Sequence, residues 1–300
     1  MLDAAGVSAS LALVNTSAQV RKDLPSLDQF NHMIVCVPAP SGEMFLDCTA
    51  KGANLANPIA YGLAGREALI LDRREPRFVR ISDYPSNASV IRVLREVQLT
   101  NRTDALVRET LAFQGVHAAY LREYLRNQRP TERRAYVAAQ LVGQAGELED
   151  LSFDGLDRPA LDLEVKFSYR VRGEFHALEN QIVGSVPIGV ERAYLLSEPI
   201  PKRATPFEVS VPLTIEGTVT VNSPAGFRPK PMPKPAPDAE NRFVRCQMAV
   251  DASASGWRLR YHLHENAGRS AAESYTEYCR AMQQTADLLK PRLVCERVRP

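Results

Sequence analysis

Long apolar runs and an excess of one charge are both missing from this 300-residue sequence. No stretch of about 18 apolar residues occurs, so no helix is expected to insert into a membrane. The opening Met1-Leu2-Asp3 lacks the basic start and the apolar run of a secretory signal. Lys and Arg number 37 against 35 Asp and Glu, a net charge of +2, and this balance predicts no nucleic-acid partner.

Paired cysteines and the common cofactor motifs are also missing. The five cysteines are odd in number and show no CxxC or Cys/His ligand spacing: Cys36, Cys48, Cys246, Cys279 and Cys295. Neither a structural zinc site nor a disulfide scaffold is therefore expected. No Walker loop, Rossmann glycine fingerprint, HExxH or G-x-S-x-G motif occurs, so the sequence predicts no cofactor.

The remaining candidate for a metal site is the pair His262 and His264, because an H-x-H spacing on a strand can chelate. Two arginines share the face of this pair and would repel a cation, so we predict a solvated face without a metal. His117 and His176 have no partner nearby in the sequence. We expect them to be ordinary surface or loop histidines.

From about residue 86, apolar and polar residues alternate with a period of two, which is typical of half-buried strands in antiparallel sheets. Pro212 cannot donate a hydrogen bond to a neighbouring strand, so its strand is expected at a sheet edge or with a bulge. A capping box, Ser270 to Glu273, predicts a C-terminal helix. The other predicted elements are helices over 117–127 and 131–142 and strands over 91–99, 105–113, 161–171, 207–221, 244–250 and 257–263.

The first part of the chain contains a candidate catalytic pair. Two predicted strands flank the turn Pro38 to Gly42. If Val37 faces Gly42 across this turn, His32 falls opposite Asp47 and shares its side of the sheet. An imidazole and a carboxylate so placed form a hydrogen bond that fixes the ring and stabilises its protonated form. A slip of one residue would instead place the two side chains on opposite faces.

Several stretches of the first 85 residues resemble a known family: FNHMIVCVP from Phe30, FLDCT from Phe45, GREALIL from Gly65 and the opening AAGV from Ala4. This part is similar to the second half of a bacterial transglutaminase-like domain, a family related to papain-like thiol enzymes. The resemblance implies that His32 is the general base and Asp47 its orienting carboxylate. It also implies a nucleophilic Cys on a helix that precedes both strands. Flanking β-rich domains of unknown function are common in the family.

The nucleophile implied by this resemblance has no counterpart in the sequence. It belongs at the start of the helix whose end we predict at Met1 to Ala5, so its position falls before the chain begins. Cys36 lies on a strand, away from a helix N-terminus that would activate a thiol, and is not the expected nucleophile. Cys48 is expected to be a small buried hydrophobe. Without that helix the apolar strand 7–14 would be exposed, and the isolated chain would associate or be poorly soluble.

The sequence as a whole predicts an α+β protein of two parts. Residues 1–85 form the C-terminal half of a transglutaminase-like, cysteine-protease-like domain. Residues 86–300 form a mainly antiparallel β-sandwich-like module with a helical hairpin inserted at about 116–142 and a C-terminal helix. The complete protein would perform thiol-dependent acyl transfer or amide hydrolysis on a protein or peptide through a Cys-His-Asp triad. The chain alone, with His32 and Asp47 only, is expected to be inactive.

Some alternatives stay open from the residues alone. Transglutaminase and hydrolase chemistry are not separated, since both proceed through a thioester. The other function considered is a non-catalytic binding or structural module, whose contacts would be the strand with Pro212 and the basic loop RPKPMPKPAP over 228–237. Members of the family are often exported, which is compatible with a periplasmic or cell-surface parent protein. Neither the substrate nor the oligomeric state is predicted.

Overall fold

The structure is a computed structural model that describes residues 3–40, 42–51, 59–72, 75–143, 146–159, 162–186, 189–195, 203–231 and 239–298. In these residues the strands form four sheets, of five, four, two and eight strands, and the helices are short. The protein is therefore β-rich and of the α+β class. Over the same ranges, no helix has both the length and the apolar character that a membrane-spanning helix needs.

A five-stranded antiparallel sheet is built from the first part of the chain. Its strands are β1 Ser10–Val14, β2 His32–Ala39, β3 Gly42–Leu46, β4 Glu67–Leu71 and β5 Arg77–Arg80. They lie in the order β3-β2-β1-β4-β5. Alternate apolar residues cover the inner face and pack together with the loops around β4, because successive side chains of a strand point to opposite faces. The buried cluster is Ala12, Val14, Ile34, Cys36, Phe45, Ala60, Leu63, Ala68, Ile70 and Ile81.

The turn between β2 and β3 is tighter than the sequence predicts. Ala39 pairs with Gly42, so the predicted pairing of Val37 with that glycine is wrong by two residues. A shift of two residues leaves every side chain on its original face, whereas a shift of one would reverse it. His32 and Asp47 therefore still share the inner face of the sheet, with Asp47 directly after the last residue of β3.

The outer face of this sheet is apolar and exposed. Leu11 and Leu71 are cross-strand partners on β1 and β4, and Met33 lies on β2. Leu11 and Met33 are 48% and 49% exposed. The predicted exposure of the apolar strand 7–14 thus applies to its odd-numbered side, while the even-numbered Ala12 and Val14 are buried. Association of the isolated chain stays a prediction.

Fourteen further strands and the α-helices occupy the described residues after residue 86. The strands are β6 Ser89–Leu99, β7 Ala105–Gly115, β8 Gly146–Asp154, β9 Leu163–Val171, β10 Phe175–Ala177, β11 Gln181–Ser185, β12 Phe207–Val209, β13 Leu213–Asn222, β14 Phe227–Pro229, β15 Ala239–Glu240, β16 Val244–Ala252, β17 Gly256–Glu265, β18 Gly268–Ser270 and β19 Arg292–Arg297. The helices are α1 Val116–Arg126, α2 Pro130–Val137, α3 Val190–Leu195 and α4 Tyr275–Leu288. A single π-helical turn, Ala138–Val142, continues α2.

The eight-stranded sheet has the order β15-β16-β17-β13-β6-β7-β9-β8. Adjacent strands of this sheet are antiparallel, except for β13 and β6, which pair parallel. The prediction that Pro212 marks a sheet edge or a bulge is wrong. β13 is a central strand between β17 and β6, and it begins at Leu213, so the proline precedes the ladder and removes no donor from it.

The C-terminal helix also begins differently from the prediction. A short 3-10 turn, Ala272–Ser274, precedes α4, and the residue before this turn is Ala271, which makes no side-chain cap. The predicted capping box at Ser270 is therefore wrong, because Ser270 still belongs to β18 and pairs with Phe207. The predicted helical hairpin is present as α1 and α2.

One apolar cluster joins the eight-stranded sheet, the four-stranded sheet β10-β11-β19-β14 and all four helices. Helices therefore fill part of this core, which is not built from two sheets alone as a sandwich would be. This cluster is separate from the cluster of the five-stranded sheet. The division of the chain at residue 85 stays a prediction. Of the basic loop RPKPMPKPAP, residues 232–237 lie outside the described residues.

A fully buried ion cluster lies inside the eight-stranded sheet. Arg95 on β6 and Glu109 on β7 are cross-strand partners, and their side chains are 1% and 0% exposed. The Arg95 guanidinium donates to Glu109 at 2.8 and 2.9 Å and to Glu191 of α3 at 2.9 Å. The Tyr261 hydroxyl donates to the same Glu191 carboxylate. With the charges paired and hydrogen-bonded in this way, the cluster ties α3 to three strands of the sheet.

Candidate active site

The inner face of the five-stranded sheet brings His32 and Asp47 together. His32 is the first residue of β2, and its Nε2 lies 2.9 Å from Oδ2 of Asp47. The other carboxylate oxygen, Oδ1, accepts hydrogen bonds from the amide and the hydroxyl of Thr49 at 2.9 and 2.6 Å. The Asp47 side chain is 11% exposed and that of His32 is 24% exposed. The carboxylate is thus fixed from one side while it holds the ring from the other.

The charge on Asp47 follows from these contacts. Burial raises the pKa of the Asp47 carboxyl, but the hydrogen bonds from Thr49 and from His32 outweigh it, and the pKa lies below its ordinary value. Asp47 is therefore an anion at neutral pH. An anionic partner at Nε2 orients the imidazole and leaves Nδ1 as the nitrogen available for proton transfer.

Thr49 gives a direct test of this electrostatic arrangement. Replacing Thr49 by Val removes the 2.6 Å hydroxyl bond and keeps the size of the side chain. We expect the pKa of Asp47 to rise toward its ordinary value of 3.8, because burial is then less well opposed. The side-chain carboxyl ¹³C shift of Asp47, followed by NMR through an acid titration, measures the change. An unchanged titration midpoint would show that the hydroxyl does not stabilise the anion.

None of the five cysteines is placed beside His32 as its nucleophile in the described part of the chain. Cys36 lies four residues further along β2, about 13 Å away between Cα atoms. Cys36 is buried, and burial raises the pKa of its thiol, the opposite of what a nucleophile requires. Cys246 and Cys295 are buried in the other apolar cluster, and Cys279 packs against it.

Cys48 is exposed, so the prediction that it is a buried hydrophobe is wrong. The reason is that β3 ends at Leu46 and Cys48 lies in the turn that follows. The Asp47 side chain points inward to His32, whereas that of its neighbour Cys48 points to solvent.

A cavity of about 240 Å³ adjoins the carboxylate. One wall is formed by Asp47 and Thr49 and another by α1, through Ala119 and Tyr120. The Tyr120 ring packs against Tyr61 in a tilted arrangement, with ring centroids 5.4 Å apart. The sequence predicts a helix over 117–127 but gives no indication that Ala119 and Tyr120 line the site. Tyr120 and Tyr124, four residues apart and so on one side of the helix, are the signal in the sequence that could have indicated an aromatic surface here.

The other predicted histidines have different environments. His262 is exposed, while Nδ1 of His264 lies 3.0 Å from the Thr214 hydroxyl. No group of three or more metal-ligating side chains clusters within the residues that the structure describes. The prediction for His117 is wrong, because Nδ1 of its ring is buried and no protein group bonds to it. His117 is the second residue of α1, after Val116, and lines an aromatic cavity; His176 is exposed, as predicted.

Comparisons with known proteins support the fold at a coarse level. No protein-family model matches the chain, and no curated protein matches its sequence. A crystal structure of a putative protease from Parabacteroides distasonis is similar, with a TM-score of 0.53, 13% sequence identity and 98% of this chain covered. The chain spans 41% of the length of that protein. At this identity the similarity shows a shared fold and nothing about activity.

Proposed function

We propose that this chain carries the general base, His32, and the orienting carboxylate, Asp47, of a thiol-dependent enzyme that cleaves or transfers amide bonds of proteins or peptides. The observation that carries the proposal is the 2.9 Å bond between the ring and a carboxylate that Thr49 holds in its anionic form. The family resemblance of residues 1–85 supports a Cys nucleophile from a preceding helix. The similar Parabacteroides protein bears the name of a protease, which is compatible with amide cleavage.

The proposed reaction has two steps. In the first, His32 takes the proton of the thiol, and the thiolate attacks the amide carbonyl carbon. The carbon–nitrogen bond breaks, the imidazolium returns its proton to the leaving amine, and a thioester remains. In the second step water or an amine attacks the thioester and gives its proton to His32; the carbon–sulfur bond breaks, the acid or a new amide is released, and the leaving thiolate takes the proton back from the imidazolium. Asp47 stabilises the imidazolium in both steps, since it is the anion bonded to Nε2.

The test compares the 300-residue chain with a longer protein that also contains the residues encoded upstream of Met1. We expect the longer protein to hydrolyse amide bonds in a mixture of peptides. Iodoacetamide is expected to inhibit this hydrolysis. The 300-residue chain is expected to be inactive, because none of its cysteines lies at the ring. In the longer protein, replacing His32 by Gln is expected to lower kcat/KM at least about 100-fold.

His176 provides the matched control, because it is an exposed histidine on β10, outside the five-stranded sheet that carries His32. His176→Gln should leave kcat/KM unchanged. The proposal fails if no cysteine is encoded upstream, or if activity survives the loss of His32. A protein that lacks activity but captures a partner equally well after deletion of residues 1–85 would instead support the non-catalytic binding module.

A further inference from the structure

A second cavity, of about 260 Å³, lies next to the candidate active site. Its walls are largely aromatic, and they include Phe113, His117 and the four tyrosines Tyr61, Tyr120, Tyr136 and Tyr194. Tyr61 and Tyr120 line this cavity and also the cavity that contains Asp47. This pair of tyrosines, whose rings pack against each other, is therefore the wall shared by the two cavities. A peptide bound at Asp47 can place a neighbouring side chain beyond this pair.

The imidazole of His117 is one of the polar groups that line the aromatic cavity, beside the amide of Gln140 and the tyrosine hydroxyls. Its ring lies 5.4 Å from that of Tyr194, and its buried Nδ1 has no bonding partner in the protein. An unpartnered buried nitrogen costs free energy, so a group that bonds to it on binding is favoured. Burial lowers the pKa of His117 to about 4, and the ring is uncharged at neutral pH. A neutral ligand group therefore fits it better than an anion.

The size and the chemistry of the cavity together select one kind of side chain. Its volume is below the roughly 300–1,000 Å³ of typical small-molecule pockets, which suits one ring. Aromatic walls favour a flat aromatic ring through offset or edge contacts. Nδ1 of a neutral imidazole is a donor in one tautomer and an acceptor in the other, and a phenol hydroxyl can pair with either. Phenylalanine offers no such group, and the indole of tryptophan, which only donates, pairs with one of the two tautomers.

We infer that the cavity around His117 is a specificity subsite for a tyrosine side chain of the peptide substrate, with the phenol hydroxyl bonded to Nδ1 of His117. The inference rests on the proposed function, because it takes the substrate to be a peptide. It adds the substrate class that the His32–Asp47 pair does not define. His117 has a binding role in this assignment and takes no part in the proton transfers.

The test measures binding of two small probes to the 300-residue chain, which needs no thiol. N-acetyl-tyrosinamide and N-acetyl-phenylalaninamide are titrated at millimolar concentrations, and ¹⁵N shifts of the histidine rings are followed by NMR. We expect the tyrosine probe to bind about tenfold more tightly and to shift Nδ1 of His117. Equal affinity of the two probes, or no binding of either one, would overturn the inference.

Variants separate the hydrogen bond from the shape of the cavity. His117→Phe keeps an aromatic ring of similar size, so we expect the fold to be retained. Because the hydrogen-bonding nitrogen is lost, the tyrosine and phenylalanine probes should bind this variant with about equal affinity. Ala193→Trp, at the exposed rim on α3, should weaken both probes. His262→Phe, on an exposed face of β17, should change neither. A tenfold preference that survives in His117→Phe would contradict the assignment.

The two proposals fail separately. Tyrosine-selective binding in a protein without amide hydrolysis would leave the subsite standing and remove the proposed reaction. If the longer protein hydrolysed tyrosine and phenylalanine peptides at equal rates, the proposed reaction would stand and the tyrosine subsite would be removed.

Discussion

Replacing Arg95 by Met is expected to destabilise the protein by about 3–5 kcal/mol, the largest effect of a single substitution that we predict. The guanidinium is the cation between two buried carboxylates, Glu109 and Glu191. Burial raises the pKa of Glu109, and the nearby Glu191 adds to this, although Arg95 opposes both. Without Arg95, two carboxyl groups would share a dry site with no cation, and a buried charge that loses its partner costs several kcal/mol.

Trp257 makes this prediction measurable. It is the one tryptophan of the sequence, and it is buried in β17, the strand that also carries Tyr261 of the ion cluster. The free energy of unfolding is obtained from Trp257 fluorescence in a urea titration. The control is Arg92→Met, because Arg92 lies on β6 like Arg95 but pairs with Glu216 on the exposed face of the sheet. That change should cost less than about 1 kcal/mol.

A triple variant separates the ionic effect from the loss of packing. Arg95→Met combined with Glu109→Gln and Glu191→Gln removes every charge of the cluster and keeps similar side-chain volumes. We expect it to recover most of the stability lost in the single variant, because no uncompensated charge remains. A single variant within 1 kcal/mol of the unmodified protein, or a triple variant less stable than the single one, would contradict this account.

Replacing Glu265 by Gln is expected to stabilise the protein at pH 8 and to have little effect near pH 4.5. Burial raises the pKa of Glu265 from 4.5 to about 7, although Tyr278 donates a hydrogen bond to the carboxylate at 2.8 Å. The folded protein thus binds a proton that the unfolded chain releases between pH 4.5 and 7. The stability that this neutral carboxyl provides is complete below pH 4.5 and is lost as the pH rises through 7.

The size of the Glu265 effect follows from the same pKa values. The difference of about 2.5 pKa units between the folded and the unfolded state corresponds to about 3 kcal/mol. Glutamine stays neutral and still accepts the bond from Tyr278, so it keeps the low-pH stability at pH 8. The contribution of His117 to stability changes with pH in the opposite direction in the acid range. The comparison therefore uses the difference in the free energy of unfolding between the variant and the unmodified protein at each pH.

The measurement for Glu265 is again urea unfolding followed by Trp257, at pH 4.5 and pH 8. Glu216→Gln is the control, because Glu216 is an exposed residue of the neighbouring strand β13. Its effect should be small and nearly independent of pH. If Glu265→Gln gave the same difference at both pH values, the carboxyl would not titrate in the proposed range.

Period-two alternation made the strands of this fold predictable from the sequence. Strands β6, β7, β9, β16 and β17 lie close to the predicted ranges, because one face of each is buried and the other is exposed. The ion cluster was missed although its signal is present. Arg95 and Glu109 each interrupt the apolar face of their strand, and two opposite charges at inward positions of adjacent strands can pair. The order of the strands in the sheet could not be predicted from the sequence, because β6 and β13 are far apart in sequence and pair parallel.

The candidate site was predictable only in the part that local geometry controls. His32 and Asp47 are 15 residues apart around one hairpin, so even a turn in error by two residues left them on one face. The walls formed by α1, Tyr61 and Tyr194 depend on packing between segments more than 50 residues apart. Such contacts have no local pattern, and the isolated His117 gave no sign of the aromatic surroundings that the fold supplies.

The most direct test of the account is the rate at which iodoacetamide alkylates the thiols of the longer protein at pH 6. A thiol paired with the imidazole of His32 exists as a thiolate at this pH and reacts rapidly, while ordinary thiols are protonated. We predict one cysteine upstream of residue 1 that reacts at least tenfold faster than Cys36 or Cys48, and loss of this difference in His32→Gln. Uniform rates for all cysteines, or a fast cysteine unaffected by His32→Gln, would contradict the role of His32 as the base.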